Sequence, residues 1–503
     1  MTYSESLENL IIVGGGTAGW MTAAMLAKQT HGKLNITLIE SEQIGTIGVG
    51  EATIPPIRRF NKMLGIDENE FLAKSNGSIK LGIQFENWLR PGHSYFHQFG
   101  RFAIDFDYIP FPYFWMQEAS KSKDFELQKY SPAWQMAEEN KYYPPPSEPR
   151  SLFNGFDYAY HFDAGLYAKY LREFAVNLGV NRIEGKIEQA NLNKSSGFVE
   201  SVILQDSQVY QADFFVDCSG MRALLLGQTL EVGFEDWSNY LLNDRAIAVQ
   251  TSKSEPLRPY TRSIAHHAGW RWQIPLQTRT GNGNVHSSQF MQEQEAIDLL
   301  VNDVEGELKT DPIVVRYKTG RREKFWFKNC VAIGLSAGFL EPLESTSIHL
   351  IESAIMRLVN FFPNKTCHEV NAKEFNRLTT NEYNHIRDFI VLHYKATERE
   401  DSEYWRYCKY MEVPETLQEQ IELFKTHGHL RVDDKELFKH DSWLAVLIGQ
   451  GVWPKENSPI LTFKNQFDLD RSFKSMLDNM KQTVEKMPTH EQFLMKNCPY
   501  TPS

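Results

Sequence analysis

The stretch Leu10-Ile-Ile-Val-Gly-Gly-Gly-Thr-Ala-Gly-Trp20 runs from four apolar residues straight into a glycine-rich turn. An apolar run typical of a helix, residues 21–28, follows at once. A strand, a tight turn and a helix are therefore predicted within one βαβ unit. Gly14, Gly16 and Gly19 have the Gly-x-Gly-x-x-Gly spacing that this position requires, which indicates a dinucleotide site.

Each glycine of this fingerprint has its own task in a nucleotide site. Gly14 permits the turn, Gly16 lets a pyrophosphate approach the backbone, and Gly19 lets the helix pack closely on the strand. A second predicted strand, residues 35–39, ends at Glu40, the acidic residue expected about 20 residues further on to bind a ribose hydroxyl. The alternative is a glycine-rich turn in an α/β protein that binds no ligand.

Length and composition limit the partners of the chain. Its 503 residues, 42% of them hydrophobic, can bury a large core, and a net charge of -11 argues against a general polyanion binder. The five cysteines contain no Cys-x-x-Cys pair, so neither a zinc site nor a redox dithiol is indicated. The sequence shows no secretory leader and no apolar run near the roughly 18 residues of a membrane span. We expect a cytoplasmic protein with no metal, nucleic acid or membrane partner.

Two stretches suit a flat ligand. Residues 45–56 carry three glycines ahead of a double proline, a spacing that lets backbone lie against a ring system with its amides free to donate. Residues 93–115 are crowded with aromatic side chains, which form flat apolar walls. The alternatives are a surface loop for the first stretch and core filling for the second.

Lys80 stands alone in a mostly apolar, strand-like run, residues 76–88. A lysine ammonium is strongly hydrated, so an inward-facing Lys80 must be paired or functional. The alternative is that strand alternation turns it to solvent. Trp270 and Trp272 share one face of another predicted strand, where two indoles could form a barrier or simply fill the core. Residues 281–284, Gly-Asn-Gly-Asn, are predicted as the following hairpin turn.

A second strand and glycine turn, residues 329–338, precede a helix with a Ser/Thr-rich start. This strand, turn and helix start form a geometry that suits a small anion, a halide or an oxyanion. Glu344 beside that start could act as an acid or base, or could merely cap the helix.

The chain returns to the nucleotide sheet more than 150 residues after the second predicted strand. Residues 213–220 are predicted as a strand ending in Asp-Cys-Ser-Gly, which makes the nucleotide module discontinuous. We divide the chain into residues 1–360, with inserted segments at about 76–160 and 235–315, and residues 361–503, which are predicted to be mainly helical.

Together these motifs resemble the flavin-dependent tryptophan (indole) halogenases, from about residue 8 to about residue 459. The Trp270-x-Trp-x-Ile-Pro275 element is the most discriminating, because ordinary flavin hydroxylases lack it. The other motifs that carry the resemblance are Gly14-Gly-Gly-Thr-Ala-Gly-Trp20, Gly48-Val-Gly-Glu-Ala-Thr53, the segment around Lys80, Asp217-Cys-Ser-Gly220 and Phe339-Leu-Glu-Pro-Leu-Glu-Ser-Thr346.

The resemblance implies an α/β, Rossmann-type FAD-binding fold of the flavin monooxygenase kind, with β-meander insertions and a helical C-terminal substrate region. It also implies that reduced FAD, oxygen and chloride or bromide yield hypohalous acid, with the halide near Thr346 and Ser347. The residues implied to bind FAD are Gly14, Gly16, Thr17, Ala18, Gly19, Glu40, Gly48, Val49, Gly50, Glu51, Ala52, Thr53, Gly334 and Leu335.

The remaining implied roles concern the path of the oxidant. Trp270, Trp272, Ile274 and Pro275 would separate flavin from substrate, so that only the small oxidant travels through a tunnel to Lys80. Lys80 would then aim the halogen, Glu344 would polarise the oxidant and take the ring proton, and His97 and Phe99 would flank an indole.

The sequence departs from the family pattern at two places. Leu335 stands where related flavoproteins often carry Asp or Asn, and the residues that grip an amino-acid backbone cannot be placed, although Trp443 or Trp453 is the candidate stacking partner. Free tryptophan is in doubt as the substrate, and a bare indole, an indole derivative and a larger aromatic stay open. A homodimer is also open. A separate NAD(P)H-dependent flavin reductase is expected, because no second nucleotide fingerprint is visible. The competing interpretations are a one-component flavin hydroxylase and a non-catalytic FAD-binding scaffold.

Overall fold

The strand before the glycine turn lies inside a six-stranded sheet. A computed structural model of the chain describes residues 5–42, 50–106, 108–121, 126–148, 151–463 and 469–502. In chain order its strands are β1 (Asn9–Val13), β2 (Asn35–Glu40), β3 (Glu51–Ala52), β4 (Ser78–Lys80), β5 (Gly82–Glu86), β6 (Ser94–Gln98), β7 (Ala159–Phe162), β8 (Asn181–Glu184), β9 (Ile187–Leu192), β10 (Val199–Leu204), β11 (Val209–Gln211), β12 (Phe214–Asp217), β13 (Phe234–Asp236), β14 (Arg245–Ser252), β15 (Thr261–His266), β16 (Gly269–Pro275), β17 (Arg279–His286), β18 (Ile313–Arg316), β19 (Gly320–Arg322), β20 (Trp326–Phe327), β21 (Cys330–Ala332) and β22 (Gly338–Phe339).

The α-helices surround the sheets and dominate the last third of the chain. They are α1 (Thr17–Thr30), α2 (Pro56–Leu64), α3 (Glu68–Lys74), α4 (Phe111–Ala119), α5 (Pro132–Glu138), α6 (Ala164–Asn177), α7 (Glu293–Asp303), α8 (Ser347–Asn360), α9 (Glu369–Lys395), α10 (Glu403–Tyr410), α11 (Glu415–His427), α12 (His440–Gly449), α13 (Leu469–Glu485) and α14 (His490–Asn497). Within the described ranges, none of these helices is long and apolar enough to cross a membrane.

The six-stranded sheet has the order β20-β21-β12-β1-β2-β8. β1 pairs in parallel with β2 on one side and with β12 on the other, and β12 pairs in parallel with β21. The strand predicted to return at residues 213–217 is thereby confirmed as β12. These parallel pairings bring the carboxyl ends of β1, β2, β12 and β21 to one edge, where ligands bind in open α/β sheets.

A seven-stranded sheet, β18-β14-β17-β16-β15-β5-β6, carries the tryptophan pair on β16. The hairpin turn predicted at residues 281–284 is wrong, because these residues lie inside β17 and pair with β16. Gly283 faces Trp272 in that pairing, and a Cβ atom there would lie 2.0 Å from the indole. The glycine makes room for a ring on the neighbouring strand rather than for a turn.

A small sheet, β3-β7-β4, joins the Lys80 strand to the segment that begins at Glu51. The spacing of apolar residues over 156–175 predicts a helix, but the first part of this stretch forms the middle strand, β7, instead. The helix α6 starts only at Ala164, because the Asp163 side chain accepts a hydrogen bond from the amide of Leu166 and caps it.

The helix α14 closes the back of the Lys80 strand. His490 Nε2 accepts the backbone amide of Ile79 at 3.0 Å, and His490 Nδ1 donates to the carbonyl oxygen of Leu257 at 3.1 Å. The Gln277 side chain, just after β16, binds the carbonyl oxygen of Cys498 and the amide of Tyr500. Residues 490–500 therefore support both the strand of Lys80 and the strand of the tryptophan pair.

Candidate active site

A cavity of about 790 Å³ lies at the carboxyl edge of the six-stranded sheet, and we call it the nucleotide cavity. The FAD-binding residues of the sequence prediction that line it are Gly14, Gly16, Thr17, Ala18, Glu40, Gly50, Glu51, Ala52, Gly334 and Leu335. Gly19 and Thr53 lie behind this lining and support it. Gly48 and Val49 lie outside the described residues.

The three fingerprint glycines meet three different surroundings. Gly14 has a φ of +107°, and a Cβ atom on it would lie 2.3 Å from the carbonyl oxygen of Cys218. A Cβ atom on Gly19 would lie 1.9 Å from the carbonyl oxygen of Gly14, so only glycine allows α1 to pack on β1. A Cβ atom on Gly16 would meet no described atom within 4 Å. The open space beside Gly16 and the N-terminus of α1 fits a pyrophosphate, so these residues fit FAD.

Two substitutions separate the packing role of one glycine from the binding role of the other. Gly16→Val should fold normally, because Gly16 has an extended backbone and open space, but should weaken FAD binding about 100-fold by filling the phosphate site. Gly19→Val should instead reduce the yield of folded protein. Flavin fluorescence titration and thermal unfolding of both variants check this. Normal FAD affinity of Gly16→Val would contradict it.

Glu40 ends β2 at the rim of the nucleotide cavity. Its carboxylate accepts hydrogen bonds from Trp20 Nε1 at 3.2 Å and from Arg182 Nε at 2.5 Å. A Cβ atom on Gly15 would overlap this carboxylate, so the glycine leaves room for it. The carboxylate is thus fixed next to the glycine turn, where a ribose hydroxyl could donate to it.

A second carboxyl group faces the same cavity from β3. Burial raises the pKa of Glu51 to about 7, and the charge of nearby Asp163 adds to the effect. Thr53, two residues further, donates its hydroxyl to the carbonyl oxygen of Tyr160 at 2.7 Å and fixes this segment on β7. A carboxyl group that is half protonated near neutral pH can donate a hydrogen bond to a ligand.

Three side chains of β16 line the cavity and form what we call the tryptophan wall: Trp270, Trp272 and Ile274. The two indoles are buried, with centroids 6.2 Å apart and planes tilted by 58°. Pro275 lies beyond the wall, and its carbonyl oxygen accepts the Ser78 hydroxyl at 2.5 Å. The wall is therefore tied to the strand that carries Lys80.

Lys80 is completely buried. Its ammonium donates to Ser345 Oγ at 2.8 Å and lies 5.2 Å from the centroid of the Phe99 ring. Burial lowers the pKa of Lys80 to about 7, although the negative charge of Glu344 opposes the shift. Ser345 also lines the nucleotide cavity. A single serine thus stands between that cavity and a lysine that can exchange a proton near neutral pH.

The pKa of Lys80 predicts a pH-dependent effect on stability. An unfolded lysine has a pKa near 10.4, so between about pH 7 and about pH 10.4 the unfolded chain binds more protons than the folded chain. The contribution of Lys80 to the free energy of unfolding should therefore rise with pH in this window. Urea unfolding of the unchanged chain and of Lys80→Met at pH 6.5, 8 and 9.5 measures the difference. A difference that stays constant would contradict the prediction.

Glu344 is equally buried and lies between two histidines. Its carboxylate accepts from His97 Nδ1 at 2.9 Å, and His393 Nε2 lies 2.9 Å from its Oε1. Burial alone would raise the pKa of Glu344, but the two histidines outweigh it and hold the pKa at about 2. Lys80, His97, Glu344 and His393 form what we call the catalytic cluster.

Thr346 and Ser347 lie at the N-terminus of α8, next to Glu344 and Ser345. Thr346 is buried, and its Oγ1 has no hydrogen-bond partner among the described residues. Ser347 lines the nucleotide cavity. The first amides of a helix lack partners within the helix, so this position suits a small anion.

Several aromatic rings pack around the imidazole of His97. Phe389 and Phe438 stack at 3.8 Å, and both lie within about 6 Å of the His97 ring. Trp443 meets Phe389 edge to face at 5.0 Å. Trp453, the other candidate stacking residue, is 42% exposed and stacks on Trp115 instead. Trp443 is the candidate that the structure brings to the catalytic cluster.

Sequence reasoning missed the contribution of α9. His393 contacts Glu344, and its Nδ1 donates to the carbonyl oxygen of Phe389 at 2.9 Å, one helical turn earlier. The (i, i+4) spacing of Phe389 and His393 puts both on one face of a helix, which is a signal the sequence does carry. Nothing local to α9 connects that face with Glu344.

Comparisons with known proteins agree with this geometry. A sequence model of the family described as tryptophan halogenase matches residues 9–466. The chain belongs to the tryptophan halogenase family. Tryptophan 7-halogenase RebH of Lentzea aerocolonigenes is 34% identical to it over 98% of this chain and 99% of the relative.

Solved halogenase structures share the fold. Xcc4156, a flavin-dependent halogenase from Xanthomonas campestris, superposes with a TM-score of 0.95 at 41% identity, over 99% of this chain and 100% of that one. BrvH, a flavin-dependent halogenase from Brevundimonas sp. BAL3, gives 0.94 at 41% identity, over 98% and 99%. The predicted Rossmann-type α/β fold and the predicted family are both confirmed.

Membership in the tryptophan halogenase family also settles the class of reaction. The chain is a flavin-dependent halogenase, which uses FAD and a halide to halogenate an aromatic substrate. The one-component hydroxylase is not favoured.

Proposed function

We propose that this halogenase directs hypohalous acid from the nucleotide cavity to Lys80, which halogenates one carbon of a small indole-type substrate. The observation that carries the proposal is the position of Ser345, which lines the cavity and accepts a hydrogen bond from the buried Lys80. A small molecule that leaves the cavity past Ser345 meets the lysine next.

The cavity residues would hold FAD, delivered in reduced form by the separate reductase. When bound, reduced FAD with oxygen supplies the oxidising power that turns chloride or bromide into hypohalous acid. Gly16 and the N-terminus of α1 would bind the pyrophosphate, Glu40 the ribose, and Gly334 and Leu335 the flavin side of the site. The amides near Thr346 and Ser347 would hold the halide beside the cavity.

Lys80 and Glu344 would divide the transfer between them. As an ammonium, Lys80 holds hypohalous acid by a hydrogen bond, and as an amine it forms an N–halogen bond while water leaves. A pKa of about 7 makes both forms available. The ring carbon then forms a bond to the halogen with its own π electron pair, while the N–halogen or O–halogen bond breaks. The electrons of the broken bond stay on the Lys80 nitrogen, which becomes an amine again by taking up a proton, or leave with the oxygen, which becomes water by taking a proton from the Lys80 ammonium. Glu344 accepts the proton that the ring loses. His97 and His393 lower the pKa of Glu344 and so keep it in the carboxylate form that can accept a proton.

The aromatic residues next to the catalytic cluster favour an indole-type substrate. His97, Phe99 and Trp443 offer flat surfaces close to Lys80 and Glu344. RebH acts on tryptophan by its name, and free indole or an indole derivative would fit the same surfaces. Since His393 and Trp443 come from α9 and α12, residues 361–503 would complete the substrate side of a module formed by residues 1–360.

One assay tests the proposal. The purified chain receives reduced FAD from an added reductase, oxygen and bromide, together with indole or tryptophan, and products are identified by mass spectrometry. Brominated product with one main isomer is the expected result. Addition of oxygen to the ring would support a hydroxylase, and no conversion over a wide aromatic panel, with FAD bound, would support a binding scaffold.

A further inference from the structure

The two indoles of the tryptophan wall are held in different ways. Trp270 Nε1 donates to Glu341 Oε2 across 3.3 Å. Trp272 Nε1 is buried but has no hydrogen-bond partner among the described residues, and its ring rests on the bare backbone of Gly283. Only Trp270 of this pair is thus anchored by a polar contact.

The anchor of Trp270 is itself rigid. Glu341 is fully buried, and its Oε2 also accepts from Asn243 Nδ2 and from the Tyr394 hydroxyl, each at 2.8 Å. Asn243 in turn accepts from the Tyr404 hydroxyl at 3.1 Å. Since these donors come from separate elements, the carboxyl group stays in place independently of the indole that it binds.

Glu341 and the catalytic Glu344 are held by neighbouring residues. Tyr394 binds Glu341, and His393, the preceding residue of α9, contacts Glu344. Trp88 fills the space behind the wall, with its ring 6.3 Å from Trp270 and 5.2 Å from Tyr394. A change in the position of α9 would therefore move the wall and the catalytic carboxylate together.

We propose that Glu341 is a positioning residue that locks the indole of Trp270 in the wall between the nucleotide cavity and the catalytic cluster. The proposal rests on the function proposed above, because a fixed wall matters only if an oxidant must be guided to Lys80. A loosened Trp270 would open other exits from the cavity. Oxidant would then escape to solvent instead of reaching the substrate.

The lock can be tested without cofactor, by NMR of chain labelled with ¹⁵N-tryptophan. The indole N–H signal of Trp270 is assigned by its loss in Trp270→Phe. Glu341→Leu should shift this signal upfield, Glu341→Gln should largely preserve it because an amide oxygen still accepts, and Tyr394→Phe serves as the control that leaves Trp270 its partner. An unchanged Trp270 signal in Glu341→Leu overturns the proposal.

Turnover gives the second readout, the fraction of hypohalous acid caught by a soluble β-diketone trap. Trp270→Phe keeps a ring but loses the N–H, so it tests the lock even if Glu341→Leu fails to fold. Glu341→Leu and Trp270→Phe should each raise the trapped fraction about fivefold, as expected for one lost hydrogen bond. The variant that carries both substitutions should trap no more than either one alone. Independent, additive effects overturn the lock. Absence of halogenated product and trapped oxidant in the unchanged chain would instead overturn the proposed function, whatever the NMR result.

Discussion

Lys80→Ala is expected to abolish aromatic halogenation while FAD still binds with normal affinity. Lys80 lies outside the lining of the nucleotide cavity but contacts Ser345, which belongs to it. Positioning of two reactants can supply roughly 7–11 kcal/mol, so a loss of at least about 1000-fold in product formation is expected when the group that holds the oxidant is removed. Product is measured by mass spectrometry and FAD binding by fluorescence titration.

The matched control for this variant is Lys74→Ala. Lys74 lies at the end of α3 with a half-exposed side chain paired to Glu70, so its removal should leave product formation unchanged. The β-diketone trap gives a second comparison. In reactions of Lys80→Ala it should collect the hypohalous acid that no longer reaches the substrate. Halogenation above one tenth of the normal rate in Lys80→Ala would remove this lysine from the mechanism.

Glu344→Gln should lower product formation at least about 100-fold, the usual contribution of an acid or base group. The amide has the shape of the carboxyl group but cannot take the ring proton, and it leaves His97 and His393 without their anion. Because the pKa of Glu344 is about 2, an acidic limb in the pH profile above pH 4 must come from another group.

Single-turnover experiments with preformed hypohalous acid separate the role of Glu344 from the chemistry of the flavin. When hypohalous acid is added directly, the unchanged chain should halogenate the substrate rapidly. Glu344→Gln should halogenate it slowly. Glu422→Gln, on the exposed face of α11, is the matched control and should behave as the unchanged chain does. Equal rates for Glu344→Gln and the control would show that another group removes the ring proton.

The fingerprint could be predicted because its physical requirements lie within a few neighbouring residues. A Cβ atom on Gly14 or on Gly19 would collide with nearby backbone, and the space beside Gly16 is open, as a phosphate site there would require. The order of strand, glycine turn and helix in the sequence is therefore enough to predict these requirements. Lys80 could be singled out in the same way, since an isolated lysine in an apolar strand requires an explanation.

The interpretation of residues 281–284 failed because glycine and asparagine usually mark turns. Here Gly283 is set by Trp272 on the neighbouring strand, and Asn282 and Asn284 are buried within the sheet, with side chains bound to Thr251 and to the carbonyl oxygen of Ala296. Contacts with neighbouring strands explain why glycine and asparagine stand at these positions. A local sequence pattern carries no information about such contacts.

The catalytic cluster shows a further limit of the sequence. His97 and Glu344 are 247 residues apart, and His393 reaches Glu344 from a helix in the C-terminal region. Only the resemblance to a family connected His97 with an active site, and it did not extend to His393. Trp453 was an equal candidate to Trp443 until packing on Trp115 separated the two.

The contacts of α14 bear on how this enzyme should be handled as a catalyst. Because His490 supports Ile79 beside Lys80, and the segment at Cys498 and Tyr500 supports Gln277 beside the wall, these last turns support the strands of Lys80 and of the tryptophan wall from outside. A purification tag, a fused reductase or a surface linker belongs at the amino end. Trimming before Thr489 would remove the bonds of His490 to Ile79 and of the Cys498 and Tyr500 backbone to Gln277, and with them the outer support of both strands.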